Sequence, residues 1–315
     1  MQSSSRALRL ALVIGLCSTL TACGWVDKLK AQQAFKDANG AYKAQDYKKA
    51  AEHYEEAIRL NPELTPALFY LGNSYDNLYK PARAGEPEND ALLTKALEYY
   101  QKAFEQDPSP EIRKLALNYM VAAYGAERLN DPEKAEPLIQ KMIDLDPSDP
   151  TNYFALAKLY EDGGRYEEAE QMLLKAKEMR PNSSDVYMQL AGYYNRQGDF
   201  EKTIDALNQR TQLEPNNPEA FYTISTFFWD KAYRDFRITE AQKVDYAKRG
   251  LEAADKAIAL NPAYMEAVTY RGLLLRVLAS VEKNADRQKA LLKDAEAMQA
   301  RALEIRKQRA AGITQ

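Results

Sequence analysis

Six short phrases, each ending in proline, recur along the chain. They are IRLNP closing at Pro62, FEQDP at Pro108, IDLDP at Pro147, KEMRP at Pro181, TQLEP at Pro215 and IALNP at Pro262. The two central intervals, Pro147 to Pro181 and Pro181 to Pro215, are both 34 residues, and the others exceed 34 by 5 to 13. A fixed period with insertions marks an array of small units, none of which can bury an apolar face alone and each of which leans on its neighbours. The 315 residues would also suffice for one or two compact domains. The repeat selects the array.

The cleanest unit runs from Pro150 to Pro181. Tyr153, Leu156, Ala157 and Tyr160 form an i, i+3, i+4, i+7 stripe that predicts a helix with one buried face. The two glycines of DGGRY (Asp162 to Tyr166) break it. A second helix carries Ala169, Leu173 and Ala176 on one face, and Pro181 stops it for want of an amide proton. The next unit repeats the pattern through Tyr187, Leu190, Ala191, Tyr194, Gly198, Leu207 and Pro215. One position in the first helix is small in every unit: Ala38, Gly72, Ala123, Ala157, Ala191, Ser225 and Gly272. A matching site in the second helix reads Ala50, Ala96, Ala135 and Ala169, then Thr203 and Gly250. A later one reads Ala57, Ala103, Ala176 and Ala257, interrupted by Met142 and Arg210.

This pattern of small, aromatic and proline positions at a 34-residue period resembles the tetratricopeptide repeat, a helix-turn-helix unit. The resemblance covers nearly all of the chain after the first 29 residues. It implies an all-α fold, a right-handed α-solenoid of stacked helix-turn-helix units, with six repeats over residues 30–262 and a degenerate seventh pair with a capping helix over residues 263–311. The last segment supports a cap, because Leu291, Leu292, Ala295, Met298, Ala302 and Ile305 share one face and charges fill the rest. Two insertions fall between paired helices. Residues 77–90, rich in proline, glycine and charge, are expected to form an exposed loop. Residues 229–248, with Trp229, Tyr233, Phe236 and Tyr246, are expected to extend the flanking helices with the aromatics packed locally.

The N-terminus has its own logic. Arg6 and Arg9 precede the apolar run LALVIGLCSTL (Leu10 to Leu20), the layout of a secretory signal. About eleven apolar positions are too few for a spanning helix, which needs roughly 20. Leu20, Thr21 and Ala22 lead directly into Cys23, an arrangement that resembles the bacterial lipoprotein box. That resemblance implies cleavage after residue 22, lipidation of Cys23, and a short tether over residues 23–29. Gly24 follows where an aspartate would hold a Gram-negative lipoprotein in the inner membrane, so the implied destination is the outer membrane, facing the periplasm. Removing residues 1–22 moves the formal charge from −3 to −5 and discards Cys17, leaving no second thiol for a disulfide. An acidic chain offers no basic footprint for nucleic acid.

Catalytic chemistry has little to build on. His53 is the only histidine and has no cysteine or second histidine nearby, which excludes the common zinc sites. Glu167, Glu168 and Glu170 lie among lysines on an outward helix face, where i, i+4 pairing accounts for them. No phosphate loop, serine-nucleophile motif or H-E-x-x-H occurs. The expectation is a protein that is not an enzyme and carries no cofactor or metal.

Binding remains. In tetratricopeptide arrays the first helices line the concave surface, and residues one and five places after the tyrosine-type packing position project into it. The resemblance therefore points to Phe35, Phe69, Met120, Phe154, Met188 and Tyr222 as an apolar ladder suited to a helix or peptide laid in a groove. The second set is Asn39, Asn73, Tyr124, Lys158, Gly192 and Thr226. The same ladder would equally serve packing between adjacent first helices. No lysine stands in the first set, which disfavours the carboxylate-clamp role known in the family. The expected function is a membrane-anchored scaffold for a protein or peptide partner in the cell envelope, in outer-membrane assembly or a pilotin-like role. The alternative is a recognition module or accessory subunit for cell-wall glycan or a wall enzyme.

Overall fold

A computed structural model describes residues 25–312. Within them the chain forms fourteen α-helices and one short 3-10 turn, with no strand. Helix α1 covers residues 25–43. It is followed by α2 (Tyr47–Leu60), α3 (Pro66–Leu78), α4 (Pro87–Gln106), α5 (Pro110–Tyr124), α6 (Pro132–Leu145) and α7 (Pro150–Asp162). Then come α8 (Tyr166–Met179), α9 (Ser184–Arg196), α10 (Phe200–Leu213), α11 (Pro218–Arg234), α12 (Glu240–Leu260), α13 (Met265–Val281) and α14 (Ala285–Ala310). Odd-numbered helices are the first of each pair and even-numbered ones the second. This is the all-α, α-solenoid class that the repeat implies. The signal segment and Cys23 lie outside the described residues, and the expected tether at residues 23–29 is helical from residue 25.

The repeated phrases end helices by one backbone device. The residue before each proline donates its N–H to the carbonyl four residues back: Asn61 to Ala57, Asp107 to Ala103, Asp146 to Met142, Arg180 to Ala176, Glu214 to Arg210 and Asn261 to Ala257, all at 2.9–3.0 Å. The following proline cannot extend the ladder and pushes its predecessor out of the helical region. In each of the first five pairs the connection between the helices includes one residue of positive φ. Glycine takes that place at Gly164 (φ 73°) and Gly198 (φ 77°), where a Cβ would be strained, and Gln45 and Asn130 accept it in other units. The next residue then caps the second helix: Asp46, Asp131 and Asp199 accept from the amides of Lys49, Lys134 and Lys202 at 3.1–3.2 Å.

The chain folds as two compact units, one ending at Ala169 and the other beginning at Glu170. In the first, Ala38, Ala50, Tyr54, Leu71, Tyr100, Ala103, Leu117 and Met120 belong to one apolar core. Rings run through it. Phe35 meets Tyr54, Tyr54 stacks on Tyr70, and Phe69 touches Tyr70, Tyr100 and Tyr119, with centroids 5.4–6.0 Å apart. Four of the 21 tyrosines take part in these contacts. In the second unit Ala232, Ala247, Leu274 and Val277 form a core flanked by Trp229 and Tyr246. There α14 packs along α13, burying Ala295 and Ile305 while Leu291, Met298 and Ala302 are half-buried and Leu292 stays exposed.

The insertions behave differently from each other. Residues 77–90 are not simply a loop: Asn77 and Leu78 finish α3, Pro81–Arg83 form a 3-10 turn, and α4 already starts at Pro87. Pro87 presets the first helical φ, and the buried Asn89 pins the turn by accepting from the Lys80 amide (2.9 Å) and donating to the carbonyls of Lys80 and Arg83 (both 3.1 Å). Residues 229–248 lengthen α11 and α12, joined by five residues and closed by a capping box from Thr239 and Gln242. Trp229 stacks on Tyr233 at 5.2 Å, whereas Phe236 in the connection is 93% exposed, so local packing claims only some of these aromatics.

Every small site in the repeat is buried. Gly250 shows how close the backbones come: a Cβ there would stand 2.8 Å from Leu274 Cδ2 and 3.0 Å from Phe228 Cβ. The gain in helix propensity from alanine, about 1 kcal/mol, is smaller than overpacking of about 1–3 kcal/mol, because both neighbours are themselves buried. Gly250→Ala is therefore expected to lower stability. Gly40→Ala, with nothing within 4 Å of the added Cβ, is expected to raise it by a few tenths to about 1 kcal/mol. Denaturant unfolding of the two variants checks whether one substitution has opposite signs at the two sites.

Candidate binding cleft on the first helices

The proposed groove residues divide by what surrounds them. In the first unit Phe69, Asn73 and Met120 are buried and so belong to the interior. Phe69 is held among three tyrosine rings. Phe35 is half-buried against Tyr54, and Asn39 accepts a 2.6 Å hydrogen bond from the Tyr54 hydroxyl.

Asn73 sits in a polar relay. Its Oδ1 accepts from the Tyr42 hydroxyl and from Asn77 Nδ2, and its Nδ2 donates to the Tyr100 hydroxyl at 3.3 Å. Tyr100 in turn donates to Asp76 Oδ2 at 3.1 Å, and Arg128, from the α5–α6 connection, closes the chain with an ion pair to Asp76 Oδ1. Burial, with the Asp76 charge beside it, pushes the Tyr100 phenol well above its ordinary range. Burial likewise raises Tyr54, and burial together with Glu55 raises Tyr75. Sequence reasoning missed this relay. Its signal was a run of polar residues, Asn73, Ser74, Asp76 and Asn77, on a helix of otherwise apolar character.

Tyr124 and Lys158 come together. They line a cleft of about 330 Å³ that opens where α5 and α7 flank α6. Its floor is apolar and short-chained, with Val121, Ala135, Ile139, Ala155 and Leu159 among its walls. The rim is polar: Lys158 pairs with Asp162, Asn130 stands in its positive-φ turn, and Lys134 lies over the Tyr124 ring at 5.5 Å. Phe154, on α7, is half-buried and is not among the lining residues.

In the second unit Met188 and Tyr222 are both half-buried. The Met188 sulfur accepts from Arg210 Nη1 at 3.1 Å, and Tyr222 lies edge-on to Tyr264 and Tyr270. Arg210 is the residue that breaks the small pattern. It is only 7% exposed and is tied to Glu214 (3.1 Å) and Glu219 (3.6 Å), so its long stem fills the space that alanine leaves elsewhere. Gly192 and Thr226 are half-buried as well.

Among the described residues no group of three or more His, Cys, Asp or Glu side chains is placed to hold a metal, and no helix is long and apolar enough to cross a membrane. His53 is half-buried on α2.

Paired helices that cross at small residues define an all-α helical-repeat fold. Residues 126–193 match the tetratricopeptide repeat family model. Residues 23–141 match a model described as the plant-specific mitochondrial import receptor subunit TOM20. No curated protein matches the chain. Among solved structures, the C-terminal part of a TPR repeat-containing protein from Cytophaga hutchinsonii is 15% identical, with 86% of this chain and 98% of that chain covered and a TM-score of 0.57. That likeness is one of fold. PilW, described as a type IV pilus biogenesis factor, is 20% identical over 76% of this chain and 97% of that chain, with a TM-score of 0.43. MamA is 21% identical over 58% of this chain and 92% of that chain, with a TM-score of 0.41.

Two outcomes are expected of the relay. Arg128→Ala leaves the Asp76 carboxylate buried and unpaired. It should cost about 1–3 kcal/mol, less than the roughly 3–5 kcal/mol for a fully buried pair because Arg128 is itself partly exposed. A double-mutant cycle with Asp76→Asn should recover much of that loss. The second concerns alkali. An unfolded tyrosine ionises near 10, while Tyr100 keeps its proton to higher pH when folded. The unfolded chain therefore loses that proton first, and stability falls as pH rises above about 10. Tyr100→Phe should flatten the fall by up to about 1.4 kcal/mol per pH unit, read from denaturant midpoints between pH 9 and 11.

Proposed function

We propose that this chain is a non-catalytic, lipid-anchored scaffold of the bacterial cell envelope, and that the α5–α7 cleft takes a large apolar side chain from a partner peptide or helix. One observation carries the reading: a mostly apolar cleft formed by α5, α6 and α7 includes Tyr124 and Lys158, two of the positions that the family pattern marks for ligand contact. Concave, mostly apolar sites with a few polar groups are where ligands bind, and a helix laid in a groove anchors itself through spaced apolar side chains. Lipidation at Cys23 would hold the scaffold on the membrane, with the outer membrane facing the periplasm as its place.

A second reading, recognition of a glycan, draws on a different hollow of about 250 Å³. It is lined by Asn195 of α9, Thr226, Phe227, Trp229, Asp230 and Arg234 of α11, and Tyr270 of α13. Rings interleaved with hydrogen-bonding groups suit a polyhydroxylated ligand, whereas the α5–α7 cleft is mostly apolar.

A photo-crosslinking residue at Tyr124 or Lys158 should trap a discrete envelope protein in living cells, and the same residue at Lys102 on a second helix should not. Filling the floor with Ala155→Trp should cut the adduct by about tenfold or more, the size of losing a buried anchor, with the helical circular dichroism unchanged. Equal trapping at Lys102, or adducts indifferent to Ala155→Trp, would refute the cleft as the partner site. Pull-down on purified cell wall that depends on Trp229 and Tyr270 would favour the glycan reading.

A further inference from the structure

The first turns of α1 present an apolar face that the fold does not cover. Trp25 is 66% exposed, Val26 41% and Leu29 51%. The packed face of the same helix is made by Ala31, Ala34 and Ala38, all buried. With 3.6 residues per turn, Trp25, Val26 and Leu29 project from the side away from those alanines. The apolar character then stops: the positions that continue the same face, Gln32, Gln33 and Lys36, are polar and exposed. The uncovered face is thus confined to the end of the helix nearest Cys23, which precedes Trp25 by two residues.

Charge completes the pattern. Lys28 and Lys30 flank the apolar face and are exposed, as is Lys36 beyond it. Lys28 also forms an exposed ion pair at 2.9 Å with Glu63 of the α2–α3 connection. Tryptophan is favoured at membrane interfaces, and lysine stems can lie along an apolar surface while their ammonium groups reach the headgroups. We infer that Trp25, Val26 and Leu29 are a lipid-docking face, which inserts into the interfacial layer of the bilayer that holds the acyl chains and lays the start of α1 against it. The inference rests on the anchoring reading of Cys23. It adds a second contact to the acyl chains, and that contact sets the orientation of the first helix pair on the membrane.

The chain holds two tryptophans, Trp25 and Trp229, so Trp229→Phe leaves Trp25 as the single indole reporter. The full chain, made in a bacterial host with its own N-terminal segment, is purified and its mature mass measured. It is then placed on phosphatidylethanolamine and phosphatidylglycerol vesicles with and without brominated acyl chains. The acylated protein should show a blue-shifted Trp25 emission on vesicles and lose most of it to the brominated lipid. Adding Val26→Ser with Leu29→Ser should weaken the quenching several-fold while the acyl mass stays. Acylated protein whose Trp25 emits like a water-exposed indole on vesicles, unquenched, overturns the inference and leaves the anchoring reading standing. So does a Trp25 emission already blue-shifted without lipid, which would put a second protein copy on this face. Mature protein without an acyl group on Cys23 overturns the anchoring reading and the inference with it.

Discussion

Close approach of helix backbones at small residues is the constraint on which the rest of this structure depends. Ala38, Ala123, Ala157 and Ala191 in first helices, and Ala50, Ala96, Ala135 and Ala169 in second helices, are all buried at 3% exposure or less. At Gly72 a Cβ would already press on the Tyr100 ring at 2.9 Å. A short side chain at each crossing lets neighbouring helices share one layer of larger side chains, and the units become stable only together. Two departures show the rule from the other side. Thr203 is fully buried, and its hydroxyl is satisfied by the Asp199 carbonyl at 2.7 Å. Arg210 is tolerated because two glutamates meet its charge.

Packing this tight leaves polar groups inside that must find partners, and the first unit answers with a chain of hydrogen bonds. Tyr42, Asn73, Tyr100, Asp76 and Arg128 come from four separate segments and satisfy one another. A buried network of this kind is costly when broken and specific when whole. It also decides function locally. Groups that complete the relay are already partnered within the protein, whereas Tyr124 and Lys158 border the α5–α7 cleft proposed for the partner.

The two surfaces proposed for partners have different chemistry. The α5–α7 cleft is concave, with an apolar floor and a charged rim, and suits one inserted side chain. The start of α1 is convex, apolar over little more than a turn, and edged by lysines, which suits a fluid surface better than a pocketed one. Both lie in the first unit, so a tether at one end of it leaves the cleft on a separate pair of helices.

Much of the architecture was legible because it follows from local chemistry. Prolines after a helical phrase, a positive-φ residue before the second helix in the first five pairs and small residues at the helix crossings act through local geometry, and they recur from unit to unit around the insertions. The insertion at residues 77–90 was less legible. Pro87 and Asn89 look like loop residues in isolation, and only the carbonyls of Lys80 and Arg83 give Asn89 its structural role. The site was legible in part. Family pattern located first-helix positions, but Asn73 and Tyr124 have the same standing in a repeat, and one is buried in the hydrogen-bonded relay while the other borders a cleft. The sequence by itself determined helix pairs, their ends and the small positions at which they cross, since those depend on φ, on missing amide protons and on side-chain size. Only the tertiary structure decided which of the expected groove residues are buried and which are accessible, because exposure depends on the neighbours that long-range packing supplies, such as Tyr119 against Phe69 and Arg128 against Asp76.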